Sequence, residues 1–137
     1  SVSNAITEIA RVTKAGGVFF YDTINRTRFS KLSVIKVAQE WKPVAFMPEN
    51  LHVWDMFITP DELVNILSEN GISQQEMRGM VSSVNPLIML LLLRKRAKGK
   101  ITYKELCERA PLIESTTDFR SSYMGYALKE PVGSTND

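Results

Sequence analysis

Apolar residues recur along the start of the chain at the spacing of a helix and then run together as in a strand. Residues 6–12 place apolar side chains three or four apart, which predicts an amphipathic helix that Ser3 or Asn4 could cap. A glycine pair at 16–17 ends this helix. The unbroken apolar run 18–21 then predicts a strand buried on both faces, as in a parallel sheet.

A polar stretch, residues 22–26, separates this strand from the next predicted helix, residues 27–40. In open α/β sheets, ligands bind beyond the carboxyl ends of the strands, so the polar stretch is a candidate site. Residues 41–54 are predicted to be irregular because Pro43 and Pro48 interrupt them.

The clearest local signal is a capping box. Thr59 can accept a hydrogen bond from the backbone of Glu62, and Glu62 can reach back to the N–H of Thr59. Pro60, at the first helical position, loses only a donor that has no partner within the helix. These residues therefore predict a third helix, which Gly71 closes.

The second half of the chain predicts two strands separated by a long connection. Residues 72–81 and 122–128 are the strands, and we expect them to form an antiparallel pair at a sheet edge. The connection holds an apolar helix, residues 86–97, and a second helix that Thr102 and Glu105 can cap. The pattern as a whole predicts an α/β fold.

The amino-acid composition excludes only a few classes of protein. The 137 residues are 44% hydrophobic and 23% charged, with a net charge of +2, which suits one soluble globular domain. A single cysteine and a single histidine exclude a Cys/His metal site of the zinc-finger kind. We see no signal peptide and no membrane-spanning run, and we expect a cytoplasmic protein. Residues 1–130 are predicted to belong to one domain, and residues 131–137 to be a disordered tail.

Four blocks of sequence resemble one enzyme family. "RVTKAGGVFFYDTINRT" is similar to the "L-K-P-G-G-x-x-x-x-S-T-x-N-R" stretch of UbiG-type enzymes, the O-methyltransferases of ubiquinone biosynthesis. "LHVWDMFITPDEL" resembles their "T-H-x-W-x-x-F-I-x-P-x-E-L". "RGMVSSVNP" and "SSYMGYALK" match two later blocks more loosely, in the family's order.

The resemblance implies the C-terminal half of a Rossmann-like class I methyltransferase fold, with three strands, the last two an antiparallel pair, and flanking helices. It implies S-adenosyl-L-methionine as cofactor, although the family's glycine-rich loop and acidic residues for that cofactor have no match here. The acceptor would be a phenolic or prenyl-quinone molecule whose oxygen attacks the methyl group. We expect the parent protein to be a methyltransferase. This chain is expected to form the lid and the substrate-side wall of that enzyme, and to be inactive on its own.

Several residues are candidates for the site. An imidazole changes protonation near neutral pH, so His52 is a candidate general base that Asp55 could orient. A lone histidine in a loop is, however, more often structural or merely exposed. Position and resemblance together assign substrate binding to Asn25, Arg26, His52, Trp54, Asn85 and Tyr123.

Two segments are candidates for peripheral contact with the inner face of a membrane. The lid-like helix has the apolar residues Phe29, Leu32, Ile35 and Trp41 among lysines, and an inward-facing cover over the site is the alternative. Residues 87–93 are apolar and are followed by a cluster of five basic residues within positions 94–100; a buried helix with a solvated basic end is the alternative.

Other functions stay open. The parent could be another small-molecule methyltransferase, or the chain could be a non-enzymatic binding module. No aromatic platform accompanies the basic cluster, so we expect no nucleic-acid partner. Cys107 follows Leu106 on a short helix and is predicted to be a packing residue.

Overall fold

The computed structural model of the chain describes residues 1–131 and residue 133 and has a mixed α/β architecture. One four-stranded sheet has the order β1-β4-β2-β3, and every pairing in it is antiparallel. The strands are β1 (Val18–Ile24), β2 (Ile72–Ser82), β3 (Leu112–Ser115) and β4 (Ser122–Lys129).

Helices flank the sheet and fill its connections. The α-helices are α1 (Val2–Val12), α2 (Arg28–Ser30), α3 (Pro60–Glu69), α4 (Pro86–Ala97) and α5 (Tyr103–Arg109). A π-helix, Lys31–Glu40, continues α2, and a short 3₁₀-helix spans Trp54–Met56. No helix in the described part of the chain is long and apolar enough to cross a bilayer.

The predicted pairing of the two late strands is confirmed. Strand β2 runs antiparallel to β4 from Ile72 opposite Lys129 to Met80 opposite Ser122. Strand β4 also pairs with β1, so the last strand in sequence lies between the first and the second. This arrangement, with helices beside the sheet, confirms the α/β prediction and is consistent with a fragment of a Rossmann-like methyltransferase.

The prediction that residues 18–21 are covered on both faces is wrong. Strand β1 is antiparallel to its neighbour, and its side chains alternate between the core and an open face. Phe19 and Tyr21 pack on the core, whereas Val18 is 48% and Phe20 75% exposed. An apolar run does not reveal which of its two faces another element covers.

The sequence prediction missed strand β3, so the described sheet has four strands rather than three. Only four residues long, β3 pairs with β2 from Leu112 opposite Ser82 to Ser115 opposite Gly79. Next to this pairing, the chain passes so close to Gly79 that a Cβ atom there would collide with the carbonyl of Asp118. A strand this short has too few residues to show a period.

The predicted capping boxes, whose hydrogen bonds join residues three apart in sequence, are confirmed. The Thr59 Oγ1 accepts from the backbone N–H of Glu62 at 3.3 Å, and the Glu62 Oε2 accepts from that of Thr59 at 3.0 Å. The predicted capping box of α5 also forms. The first helix begins earlier than expected, however, because Ser1 rather than Ser3 or Asn4 is its cap.

The predicted helix over residues 27–40 forms, but most of it is wider than an α-helix. Its start is fixed by reciprocal hydrogen bonds between the side chains and backbone of Thr27 and Ser30. At its end the N–H of Trp41 bonds the carbonyl of Lys36, five residues back, at 2.8 Å. π-Helical geometry is rare, and its usual form, a single-turn bulge within an α-helix, is frequent at functional sites.

Two separate hydrophobic clusters hold the chain together. In the first, α1 and α3 cover one face of the sheet, and Leu67, Ile72 and Tyr123 are almost fully buried there. The second lies among α4, α5 and the segment after the π-helix; its buried members are Val44, Leu92, Leu93, Ile101, Leu106 and Ala110. The second cluster therefore joins the lid-like segment to the long connection.

Two further sequence predictions concern Cys107 and the C-terminal tail. Cys107 is exposed, which contradicts its assignment as a packing residue. One position along an α-helix is a rotation of roughly 100°, so Cys107 points away from the cluster that its neighbour Leu106 joins. Of the tail predicted at 131–137, all but residues 131 and 133 lie outside the described residues.

Candidate functional site

A cavity of about 450 Å³ lies at the end of β1, where the sequence predicts a ligand site. The strand end contributes one wall, and the loop before α3 contributes the other. The lining residues are Asp22, Thr23, Ile24, Leu51, His52, Val53, Met56 and Phe57. Strand β1 and the loop are about thirty residues apart in sequence, and the backbone bond from the N–H of Ile58 to the carbonyl of Ile24, at 3.3 Å, brings them together.

His52 is the only described imidazole in this cavity, and Gln39 holds it in place. The Gln39 Oε1 accepts from the backbone N–H of His52 at 2.6 Å and lies 3.1 Å from its Nδ1. The Gln39 Nε2 donates to the carbonyl of His52 at 3.2 Å. Gln39 itself is only 5% exposed, so the π-helix presents a buried amide to the loop. Asp55, the orienting residue suggested by the sequence, is exposed on the 3₁₀-helix.

These contacts determine which imidazole nitrogen can accept a proton. A backbone N–H is always a donor, so the atom of Gln39 that receives it must be the amide oxygen rather than the nitrogen. The same oxygen faces Nδ1 of His52 and can only accept there. In the neutral ring the proton therefore lies on Nδ1, and Nε2 carries the lone pair.

An aromatic group adjoins the imidazole. The ring of Phe57 is 6.3 Å from that of His52 at 68°, and the ring of Trp54 is 5.6 Å from Phe57 at 61°. Such edge-on arrangements are the preferred geometry for aromatic pairs. The ammonium of Lys31 lies 4.9 Å from the centre of the Trp54 ring and ties the start of the π-helix to this group. Trp54 thus stands behind the cavity wall without lining it.

Asn25 and Arg26 lie beside the cavity, and their side chains are engaged in holding the fold. Asn25 is 7% exposed and donates through Nδ2 to the carbonyl of Phe119 at 2.7 Å. Its Oδ1 is buried with no hydrogen-bond partner among the described residues. Arg26 pairs with Glu62 at the start of α3. These two residues connect the end of β1 to the segment that precedes β4 and to the capping box.

Tyr123 and Asn85 do not line the cavity. Tyr123 is fully buried in the first cluster, and its hydroxyl donates to the carbonyl of Ile58 at 2.9 Å. Burial raises the pKa of Tyr123 well above the ordinary value of tyrosine, which keeps the hydroxyl protonated at neutral pH. The Asn85 Oδ1 accepts from the backbone N–H of Ile88 at 2.9 Å and caps α4. Of the residues assigned individually to substrate binding, only His52 lines the cavity, together with Asp22 and Thr23 of the predicted polar stretch.

Gln39 and Glu62 are the residues that sequence reasoning did not assign to the site. Gln39 is thirteen residues from His52 and lies across an irregular loop, so no periodic signal connects them. The sequence predicts Glu62 only as a helix cap. Its second carboxylate oxygen is free to pair with Arg26, and in the structure it does so. The backbone N–H of Thr59, and to a smaller extent the charge of Arg26, hold the pKa of Glu62 below its usual range.

Neither the glycine pair nor any cluster of metal-binding side chains forms a site among the described residues. The adjacent glycines 16 and 17 have their N–H groups bonded to the carbonyls of Lys129 and Lys14, at 2.8 Å each. They are therefore not available to a ligand. No cluster of three or more His, Cys, Asp or Glu side chains suited to a metal occurs in the described part of the chain.

Comparison with known proteins finds similarity to one named group of enzymes. The chain is 36% identical over 78 residues to a ubiquinone biosynthesis O-methyltransferase of Rhodopseudomonas palustris, covering 57% of this chain and 29% of the relative. It is 34% identical over 71 residues to the mitochondrial ubiquinone biosynthesis O-methyltransferase of Rattus norvegicus, covering 52% of this chain and 20% of the relative. The matches span less than a third of the length of these relatives. They confirm the resemblance to UbiG-type enzymes. No protein-family model and no solved structure matches the chain.

Proposed function

We propose that this chain forms the lid and the substrate-side wall of an S-adenosyl-L-methionine-dependent O-methyltransferase that acts on a polyprenylated phenol. The observation that supports this most is the similarity to ubiquinone biosynthesis O-methyltransferases over about half of the chain. The cavity agrees with it, because the imidazole of His52 faces a pocket that combines the polar side chains of Asp22 and Thr23 with several apolar ones. We assign the cofactor to the part of the parent enzyme that these matches do not cover, because the glycine-rich loop and acidic residues of the family have no match in this chain.

His52 is the residue that we assign to proton transfer. With Nδ1 bonded to Gln39, its Nε2 can accept the proton of a phenol bound in the cavity. Leu51, Val53 and Met56 would contact the aromatic ring or the first part of the prenyl chain. Loss of the phenol proton increases the negative charge on the oxygen that is to be methylated.

The other predicted substrate-binding residues receive indirect roles. We assign Asn25 and Arg26 to positioning the strand end and the start of α3. Trp54 supports Phe57 from behind, Asn85 caps α4, and Tyr123 holds the carbonyl of Ile58. Each of these acts on the shape of the cavity rather than on the substrate itself.

The lid also offers a surface for peripheral membrane contact. Phe29 is 37%, Leu32 61% and Trp41 47% exposed, so three of the four residues that the sequence assigns to membrane contact are open to lipid. Ile35 is 9% exposed and is not on this surface. Prenylated substrates dissolve in bilayers, which gives such a contact a purpose. The alternative, a lid that only covers the site, would explain why the side chain of Ile35 is buried.

The experiment uses the complete protein that contains these residues. We expect methylation of a polyprenylated phenol in vesicles, and a loss of roughly 10²–10⁴-fold in kcat for His52→Ala, the usual range for a general base. Asp55→Asn, which changes an exposed neighbour, is the matched control. Turnover of soluble phenols or amines in place of the prenylated acceptor would instead identify another small-molecule methyltransferase. No methyl transfer to any acceptor would support a binding module.

A further inference from the structure

Helix α4 is apolar on two sides, and the protein uses only one of them. Leu92 and Leu93 are buried in the second cluster, where Val44 of the lid-like segment and Leu106 of α5 also lie. Three more aliphatic side chains of α4 face outwards. Leu87 is 67%, Ile88 45% and Leu91 54% exposed. Exposed leucines are ordinary when single, but three on successive turns of one helix indicate a contact surface.

The exposed stripe becomes cationic toward the end of the helix. Residues 87, 91, 94, 95 and 98 recur at three- and four-residue spacings, so they follow one side of α4. Arg94, Lys95 and Lys98 are all exposed, and so is Lys100 just beyond. We call residues 87, 88, 91, 94, 95, 98 and 100 the α4 stripe. Its apolar half precedes its basic half within about 18 Å of helix.

Among the described residues, no carboxylate forms an ion pair with these cations. The sequence has seven basic residues and no acidic one between Glu76 and Glu105. Within the described residues, none of the four cations of the α4 stripe takes part in an ion pair. Arg96, the one remaining cation of the cluster, is turned inward, with its guanidinium 3.7 Å from the centre of the Tyr103 ring. An anionic partner is therefore the one that the stripe fits.

We propose that the α4 stripe docks the protein on an anionic lipid bilayer. The aliphatic half would enter the boundary between headgroups and acyl chains, and the cations would contact lipid phosphates. Nucleic acid fits less well because it gains nothing from three exposed aliphatic side chains. The nearby aromatic ring that could stack a base, Tyr103, is already covered by Arg96.

The α4 stripe lies close to the lid-like segment. The buried face of α4 packs in the same cluster as Val44, which follows the π-helix, and Val37 of the π-helix packs against that cluster. A bilayer bound to the outer face of α4 would thus lie one helix away from the lid-like segment. The inference rests on the surface of α4 alone and does not depend on methyl transfer.

The test is co-sedimentation of the 137-residue chain with vesicles. We expect binding to phosphatidylcholine vesicles that contain about 30% phosphatidylglycerol, weakening with added salt, and little binding to phosphatidylcholine alone. Lys95→Gln/Lys98→Gln should lower the partition coefficient about twenty-five-fold, at about fivefold per cation. Leu87→Gln/Leu91→Gln should lower it at least about tenfold, because both side chains are withdrawn from lipid.

Matched variants remove the same chemistry from other places. Arg11→Gln/Lys14→Gln takes two exposed cations from the region of α1, and Leu112→Gln takes an exposed leucine from β3. Both should bind vesicles as the unchanged chain does, and circular dichroism of every variant checks the fold. The proposal is overturned if the chain ignores anionic vesicles, if it binds neutral ones equally, or if the controls lose as much binding as the α4 variants. Binding of single-stranded RNA without binding of vesicles would also overturn it.

Discussion

The side-chain amide of Gln39 bonds both the backbone and the ring of His52. Its oxygen receives the backbone N–H at 2.6 Å and faces Nδ1 at 3.1 Å. The backbone bond fixes the orientation of the amide, and the amide in turn fixes the tautomer of the imidazole. A single glutamine of the π-helix thus directs the basic nitrogen, Nε2, away from that helix.

The tautomer can be measured directly. We expect ¹H–¹⁵N spectra recorded at about pH 8, where an imidazole is neutral, to show the proton of His52 on Nδ1. Gln39→Leu should raise the population that carries the proton on Nε2. Because the chain has one histidine, its signals need no assignment.

The same variant has a cost in stability. It leaves the N–H and the carbonyl of His52 without their described partner, which should lower the free energy of unfolding by about 1–3 kcal/mol. Gln75→Leu, on the exposed side of β2, is the control and should alter neither the tautomer nor the imidazole signals. Equal tautomer populations in the unchanged chain and in Gln39→Leu would contradict the assignment.

A structural role for Tyr123 predicts a loss of stability on removing one oxygen. In Tyr123→Phe the carbonyl of Ile58 loses its buried donor, which should lower the free energy of unfolding in urea by about 1–3 kcal/mol. Tyr126→Phe, on the opposite face of β4, should change it by less. If both variants are equally stable, the hydroxyl of Tyr123 is not a structural donor and its assignment to the substrate regains support.

The contacts predicted from the sequence are those made between residues close together in the chain. The capping boxes of α3 and α5 span three residues each, so residue types alone specify them. Helix α4 likewise forms over residues 86–97 as predicted, since its proline start and basic end are local features. Hydrophobic patterns also located both late strands and their pairing.

What the sequence did not reveal depends on contacts between distant residues. The apolar residues of β1 gave no sign that the strand's partner would be β4, more than ninety residues later, or that Phe20 would stay exposed. The amide bonds of Gln39 to His52 cross an irregular loop. Such contacts follow from the folded topology, which local preferences do not determine.

The stability of the chain should depend on pH through Glu62. The Thr59 backbone N–H, above all, and the Arg26 guanidinium hold the pKa of Glu62 below its usual range. A lowered pKa adds stability above the ordinary pKa of glutamate, about 4.3. That stability is lost as the pH falls through the lowered value. We therefore expect the unchanged chain to lose more stability than Glu62→Gln between about pH 6 and pH 3.

Urea unfolding at several pH values checks this difference. Bonds to Thr102 and Arg120 also lower the pKa of Glu105 and of Asp118, respectively, so both proteins will weaken in acid. Only the gap between them reports on Glu62. Glu69→Gln, at the other end of α3, is the matched control. A gap between the unchanged chain and Glu62→Gln that stays constant across this range would show that the capping carboxylate does not contribute through its ionisation.

Gly79 in β2 is the position where adding one methyl group should do the most damage. Replacing glycine by alanine in a compatible backbone usually stabilises a protein by about 0.4–1 kcal/mol, because it restricts the unfolded chain. A Cβ at Gly79 would instead meet the carbonyl of Asp118, a backbone atom that cannot rotate away. Overpacking of this kind costs about 1–3 kcal/mol, so the collision should prevail. We expect Gly79→Ala to lower the melting temperature, and Gln75→Ala, an exposed site in the same strand, to change it little. A stabilised Gly79→Ala would show that the segment around Asp118 lies farther from β2.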